Sequence, residues 1–158
     1  MAITIRRASI EDLTSICNLS QLLFDHERQF TDEYNMSWSH AKEGKEFFTK
    51  RLKSRRSFIL LAQDGNKLVG YILISLGKFA WRAFNPIAEV VNLSVAPEYR
   101  GKGVGSTLFQ QAKKLAIKRG AKRMSVSALT ENTRALKFYK RQGFNDFDVI
   151  MIMKLIDE

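Results

Sequence analysis

The sequence predicts a mixed α/β fold of the α+β type, with a central sheet of six to seven strands and about four flanking helices. Three observations carry that expectation. Strand-like and helix-like segments follow one another in the order βααβββαβαββ, the pattern of a single layered domain over residues 1–158. The 158 residues are 45% hydrophobic and 27% charged, with only two prolines and nine glycines, so the chain fills one core and has no low-complexity linker. A β-branched run at residues 89–95 leads through a glycine-rich turn into an amphipathic helix, which marks that run as a central strand.

Residues 3–7 read as the first strand. Ser9 with Asp12 three residues on is close to a capping box, and the helix it opens runs to about Asp25 on the stripe Leu13, Ile16, Cys17, Ser20, Leu23, Phe24. Residues 26–40 are polar and aromatic without a clean period. A second helix fits residues 41–53, around Phe47, Phe48 and Leu52. Strands at 57–63 and 68–76 flank Asp64-Gly65-Asn66, a hairpin turn signal. Residues 81–86 form a loop before the strand at 89–95. The helix at 103–119 turns Leu108, Ala112, Leu115 and Ala116 inward and Lys113, Lys114 and Lys118 outward, and Gly120 closes it. A strand at 124–129 and a helix at 131–142, closed by Gly143, precede the last expected strands at 144–147 and 149–155.

Several function classes fall away. The longest apolar runs, such as residues 58–62, are far short of the roughly 18 residues a membrane helix needs, and MAITIRRAS has no secretory h-region. No membrane association is expected. One cysteine on an apolar helical stripe reads as a buried core residue, and one Cys with two His makes no structural zinc site. No metal is expected, and the cysteine usage points to a reducing, cytoplasmic compartment. The net charge of +10 is uneven: residues 1–36 carry −3, residues 37–56 carry +5 and residues 97–123 carry +7. The densest basic block starts at the glycine-rich turn, which suggests a phosphate-bearing ligand more than nucleic acid.

That turn is Arg100-Gly101-Lys102-Gly103-Val104-Gly105-Ser106. Its glycines allow positive φ and close backbone approach, and the following helix start offers unpaired N–H groups and partial positive charge, a ready anion site. No GxxxxGK[ST] string is present. A GxGxxG dinucleotide fingerprint fails at Ser106, and no Asp or Glu between Tyr99 and Thr130 is available for a ribose. The turn instead resembles the coenzyme A loop of the GCN5-related N-acetyltransferases, Gln/Arg-x-x-Gly-x-Gly/Ala. A second motif of that family, Asn-x-x-Ala-x-x-Phe/Tyr-Tyr-x-x-x-Gly-Phe, is matched by Asn132, Ala135, Phe138, Tyr139, Gly143 and Phe144. Leu93-Ser94-Val95 is similar to the family's splayed strand ahead of the loop.

The resemblance implies an acetyl-coenzyme A-dependent N-acetyltransferase that acts by direct attack of a primary amine in a ternary complex. It implies that backbone groups of Leu93, Ser94 and Val95 pair with the pantetheine arm. It likewise implies that Arg100 and the N–H groups of Gly101, Lys102, Gly103, Val104, Gly105 and Ser106 hold the pyrophosphate. Asn132, Ala135 and Tyr139 share one helix face that lines the slot. Tyr139 resembles the general acid for the departing thiol. Glu89 resembles the base of the histone-acetylating branch, and an amine with a reference pKa near 10.4 needs one. In the family the acceptor is selected by the first two helices. Here that zone holds Asp25, Glu27, Asp32 and Glu33, an acidic rim suited to a cation, with Tyr34, Trp38 and Trp81 as possible pocket walls. Relatives of this kind are often homodimers. Two rivals make different expectations: an acyl-coenzyme A-binding module without turnover, and a basic nucleic-acid-binding protein with steeply salt-dependent affinity.

Overall fold

The first strand, β1 (Ile3–Arg7), leads into a 3-10 turn (Ile10–Asp12) that Ser9 and Asp12 close as a capping box. Arg6 grips the Asp12 carboxylate with two nitrogens at 2.9 and 2.8 Å. That bidentate pair, with the Ser9 N–H, holds the carboxyl below its usual range. Helix α1 (Leu13–Glu27) follows, then α2 (Lys42–Lys53). Next come β2 (Ser57–Asp64), β3 (Lys67–Gly77) and β4 (Ile87–Val95), then α3 (Val104–Lys118), β5 (Arg123–Val126) and α4 (Thr133–Arg141). This computed structural model describes residues 1–157.

The strands lie in chain order, β1-β2-β3-β4-β5. The first four are antiparallel neighbours, and β5 joins β4 in parallel. Period-2 alternation splits β2 between two cores. Ile59 and Leu61 face α1 and α2 with Ile16, Cys17, Phe48, Tyr71 and Leu73. Phe58, Leu60 and Ala62 face α3 with Ile72, Ile74, Leu108, Phe109 and Ala112. Cys17 is buried, and its thiol is pushed up by that burial.

The expected fold class and four helices are present, but the sheet has five strands rather than six or seven. Residues 144–147 and 149–155 form no strand. A strand is defined by the neighbour that takes its hydrogen bonds, and among the described residues these segments have none. No described helix is long and apolar enough to cross a membrane.

Candidate active site

The site begins where two parallel strands part. β4 pairs with β3 along its whole length, from Ile87 opposite Gly77 to Val95 opposite Gly70. With β5 it pairs only from Ile87 to Val90. The break coincides with a bulge: Leu73 lies opposite Asn92 and Ile74 opposite Val90, so Val91 has no counterpart. A bulge adds twist and bends the strand, which carries residues 91–95 away from β5. Among the described residues, the side of this segment that faces β5 is left without a partner strand. Leu93 and Val95 pack on the α3 core. Ser94 is buried, and its hydroxyl donates to the Leu19 carbonyl at 2.8 Å, so its side chain is turned into α1. The Asn92 Oδ1 is buried here with no partner among the described residues.

The loop after β4 turns at Gly101 (φ +73°) and Gly103 (φ +83°), a left-handed conformation that side chains other than glycine rarely adopt. Gly103 is the N-cap of α3 and supplies no capping side chain. Among the described residues, no N–H from residue 101 to 106 donates to a protein acceptor. Six consecutive donors on two positive-φ turns and a helix start form a concavity of the kind that binds anions. A Cβ at Gly103 would meet nothing within 4 Å, so the space before these donors is open. The residues present therefore fit coenzyme A.

Cations surround the loop. Arg100 Nε donates to the Val95 carbonyl at 2.8 Å, and its Nη1 lies 3.4 Å from His26 Nδ1. Burial, with the charges of Arg100 and Arg134, pushes His26 below its usual value. The end of α1 places His26 against the loop, half-buried, a contact that no local pattern in the sequence shows. Arg134 was also missed, although it lies inside the Asn132 motif, because spacing alone does not show that the start of α4 faces Gly101. Lys102, Lys113 and Lys114 are exposed.

The other wall is α4. The buried Asn132 caps this helix through Oδ1, which accepts from the Ala135 N–H at 3.1 Å. Gln142 reaches Ser106 Oγ at 3.2 Å and ties α4 to the start of α3. Tyr139 packs between Phe138 and Phe144, with ring centroids at 5.2 and 5.7 Å. Burial first, then the charge of Glu27, pushes its phenol well above the usual tyrosine value. Glu27 is itself raised by burial and also raises Tyr34. Glu27, Tyr34 and Tyr139 thus share one electrostatic neighbourhood.

Glu89 is not in that group. It lies opposite Ser75 and Ser125 and lines a cleft of about 320 Å³ with Phe79, Trp81, Arg82 and Ile87. Its nearest marked electrostatic effect is on Arg51 of α2. Trp81 stands at the rim of this cleft, 79% exposed. Trp38 sits apart in an aromatic cluster, with centroids 5.7 Å from Phe24 and 5.1 Å from Phe47. Among the described residues no group of His, Cys, Asp or Glu is placed to hold a metal.

Residues 19–144 match the Acetyltransferase (GNAT) family. The chain belongs to this family. The expected enzyme class, an N-acetyltransferase that uses acetyl-coenzyme A, stands with that membership. The chain is 27% identical over 147 residues to an uncharacterized N-acetyltransferase of Methanocaldococcus jannaschii, covering 93% of this chain and 62% of that protein. It is 27% identical over 150 residues to the spermidine N(1)-acetyltransferase of Thermoplasma acidophilum, covering 91% and 89%. A Bacillus halodurans protein solved as a point mutant superposes with a TM-score of 0.82 at 19% identity, over 97% of this chain and 99% of that one. The aminoglycoside N-acetyltransferase AAC(6′)-Iy, solved in complex with coenzyme A, superposes with a TM-score of 0.76 at 15% identity, over 97% and 94%. The last two speak for the fold alone.

Proposed function

We propose that this GNAT chain, as one domain over residues 1–158, acetylates a primary amine on a cationic acceptor by direct transfer in a ternary complex. The observation that carries this is the parting of β4 from β5 next to six unpartnered N–H groups. The strand edge at Leu93, Ser94 and Val95 aligns the amide-bearing arm of the cofactor, with Asn132 and Ala135 on the facing wall. The N–H groups of residues 101–106, flanked by Arg100 and Lys102, bind its phosphates. Bound there, acetyl-coenzyme A supplies the activated acetyl group and a thiol leaving group. Glu89 takes the proton that the acceptor ammonium must lose, through water where the cleft is wet. The Tyr139 hydroxyl gives a proton to the departing sulfur and is restored, through solvent, by the second proton that the attacking nitrogen sheds as the amide forms. Glu27 beside Tyr34, and Trp81 at the rim of the Glu89 cleft, favour a cationic acceptor, while Trp38 is taken up by packing against Phe24 and Phe47. The spermidine specificity of the Thermoplasma relative supports the same acceptor class. Buried Cys17 supports a cytoplasmic setting and leaves no thiol for an acyl intermediate. A thiol-release assay across polyamines, aminoglycosides, lysine analogues and peptide N-termini tests the reading; no turnover with any of them would leave a binding module instead.

The phosphate cradle makes its own prediction. Acetyl-coenzyme A at about 100 times its Kd should stabilise the fold by about 2.7 kcal/mol and raise Tm by about 5–10 °C. Gly103→Val should abolish that rise, because a side chain at φ +83° both strains the turn and fills the space before the donors. Differential scanning fluorimetry reads both proteins. A full shift in a folded variant would remove this loop from the cofactor site.

Glu89→Gln should keep the cofactor-induced Tm rise and lose activity at neutral pH. The deficit should shrink as pH approaches about 10, where the amine is already largely neutral. Rates across pH 6–10 decide it. An equal deficit at every pH would show that Glu89 does not take the proton, and would turn attention to Glu27, the carboxylate whose charge reaches Tyr139.

A further inference from the structure

The two basic stretches of the sequence, residues 37–56 and 97–123, are not used up by the phosphate loop. Helix α3 carries the chain about 22 Å away from that loop over its 15 residues, so Arg119, Lys122 and Arg123 stand at the opposite end of the sheet. Strand β4 gives a similar separation, about 26 Å from Ile87 to Val95. Screening leaves little interaction between exposed charges beyond about 8–10 Å. These cations are therefore out of reach of the cofactor's phosphates.

The fold gathers them with cations from two other segments. Arg7 closes β1, and Arg55 and Arg56 lead into β2. Arg119 Nη1 donates to the Arg55 carbonyl at 3.4 Å, and burial, then the charge of Arg7, pulls Arg119 below the usual arginine value. The Leu76 N–H donates to the Arg56 carbonyl at 2.7 Å and the Lys122 N–H to the Pro86 carbonyl at 2.9 Å, which pins both connections to the ends of β3 and β4. The row of six crosses the sheet from β1 to β5, four strand spacings of about 4.8 Å, or about 19 Å. All but Arg119 are exposed. Among the described residues none of the six is in an ion pair, and residues 47–63 and 99–130 contain no Asp or Glu. Like charges held together without counter-ions repel, and a bound polyanion relieves that repulsion.

The side chains identify the polyanion by its chemistry. Five of the six are arginines, whose planar fork meets a phosphate with two hydrogen bonds. Two of them sit on rings: Arg123 lies 3.8 Å over Phe84 and Arg119 4.9 Å over Phe58. A guanidinium seated on a ring turns its other face outward, where an unpaired base can stack. An acidic peptide has carboxylates but no base to place there. A membrane takes up bare apolar rings, and Arg123 covers that of Phe84. We propose that the end of the sheet opposite the phosphate loop binds single-stranded nucleic acid, with phosphates on Arg7, Arg55, Arg56 and Lys122 and bases on Arg119 and Arg123. The surface lies outside the cofactor site and stands whether or not the chain transfers acetyl groups.

Fluorescence anisotropy of a labelled, mixed-sequence single-stranded DNA of about 16 nucleotides reads the binding. The Kd should be about 1–100 μM at physiological salt, and log K should fall against log salt with a slope of about −4, about −0.7 for each cation. The triple variant Arg55→Gln, Arg56→Gln, Arg123→Gln should bind about tenfold more weakly or worse, with the slope cut to about −2. Its unchanged circular dichroism and melting transition would show that it folds. An abasic strand of equal length should bind the parent at least about fivefold more weakly, because it keeps the phosphates and lacks the stacking. Saturating acetyl-coenzyme A should leave the DNA affinity unchanged. No binding at about 50 mM salt, or a triple variant that binds like the parent, overturns the proposal. So does displacement by acetyl-coenzyme A, which would put the DNA on the phosphate loop. Equal affinity for the abasic strand, for poly-glutamate of the same length or for phosphatidylserine vesicles overturns it as well, in favour of a bare polyanion, an acidic protein or a membrane. DNA binding by a chain that acetylates no amine would refute the enzyme reading and leave this one standing.

Discussion

Tyr139→Phe should lower kcat by about 10²–10⁴, the usual worth of a positioned general acid, which is about 3–5 kcal/mol in the barrier. The ring contacts with Phe138 and Phe144 survive the change, so packing of α4 is kept. Only the hydroxyl proposed to protonate the departing sulfur is lost. The fall should appear in kcat and kcat/KM alike, because the interaction forms mainly in the transition state. Acetyl-coenzyme A should bind the variant as it binds the parent. The direction of the pKa shift adds a check. Burial raises the phenol, so Tyr139 stays protonated and able to donate through neutral and mildly alkaline pH. Any alkaline fall in rate below about pH 10 therefore belongs to another group and should persist in the Phe variant. Steady-state kinetics with one good amine settles the matter; an undiminished kcat would make Tyr139 a packing residue.

Phe48→Ala should cost about 3–5 kcal/mol of stability and lower Tm by about 6–20 °C. Phe48 is fully buried where α2 meets the sheet. Its ring sits edge-on to Phe47 and Tyr71, at 5.3 and 6.1 Å between centroids. The other side is filled by Trp38 at 5.8 Å, so no neighbour is free to collapse into the hole. Denaturant melts of both proteins measure the loss. A cost below about 1 kcal/mol would mean that α2 does not share the core of the sheet. Because α2 stands on the side of the sheet opposite α3, the variant should keep its cofactor-induced Tm rise while folded.

The elements that depend on local periodicity were legible in the sequence almost to the residue. The α2 helix, expected at 41–53, runs Lys42–Lys53, and the hairpin at Asp64-Gly65-Asn66 turns where its residues demand. The capping box at Ser9 and the positive φ of Gly101, Gly103 and Gly120 were legible for the same reason, since each is a property of two or three neighbouring residues. The last two strands were not. Residues 144–147 and 149–155 have strand composition, yet composition states only what a segment must bury, not which edge is free to receive it.

The site divides along the same line. The loop, its glycines and the Asn132–Tyr139 face follow from spacing along the chain, because a turn and a helix face are set within a few residues. From these alone the sequence determined the fold class, the family resemblance and the glycine turn that opens α3. The tertiary structure decided which side chains share a field across the chain. It brought the charge of Glu27 within reach of both Tyr34 and Tyr139, put Arg134 and His26 beside the loop, and left Glu89 in a separate cleft with Trp81. It turned the Ser94 hydroxyl into α1 and made Trp38 part of the core. Each of these depends on how helices lie across the sheet, and the bulge at Val91 sets where β4 parts from β5. Packing between elements remote in sequence fixes such angles, and no local pattern records them.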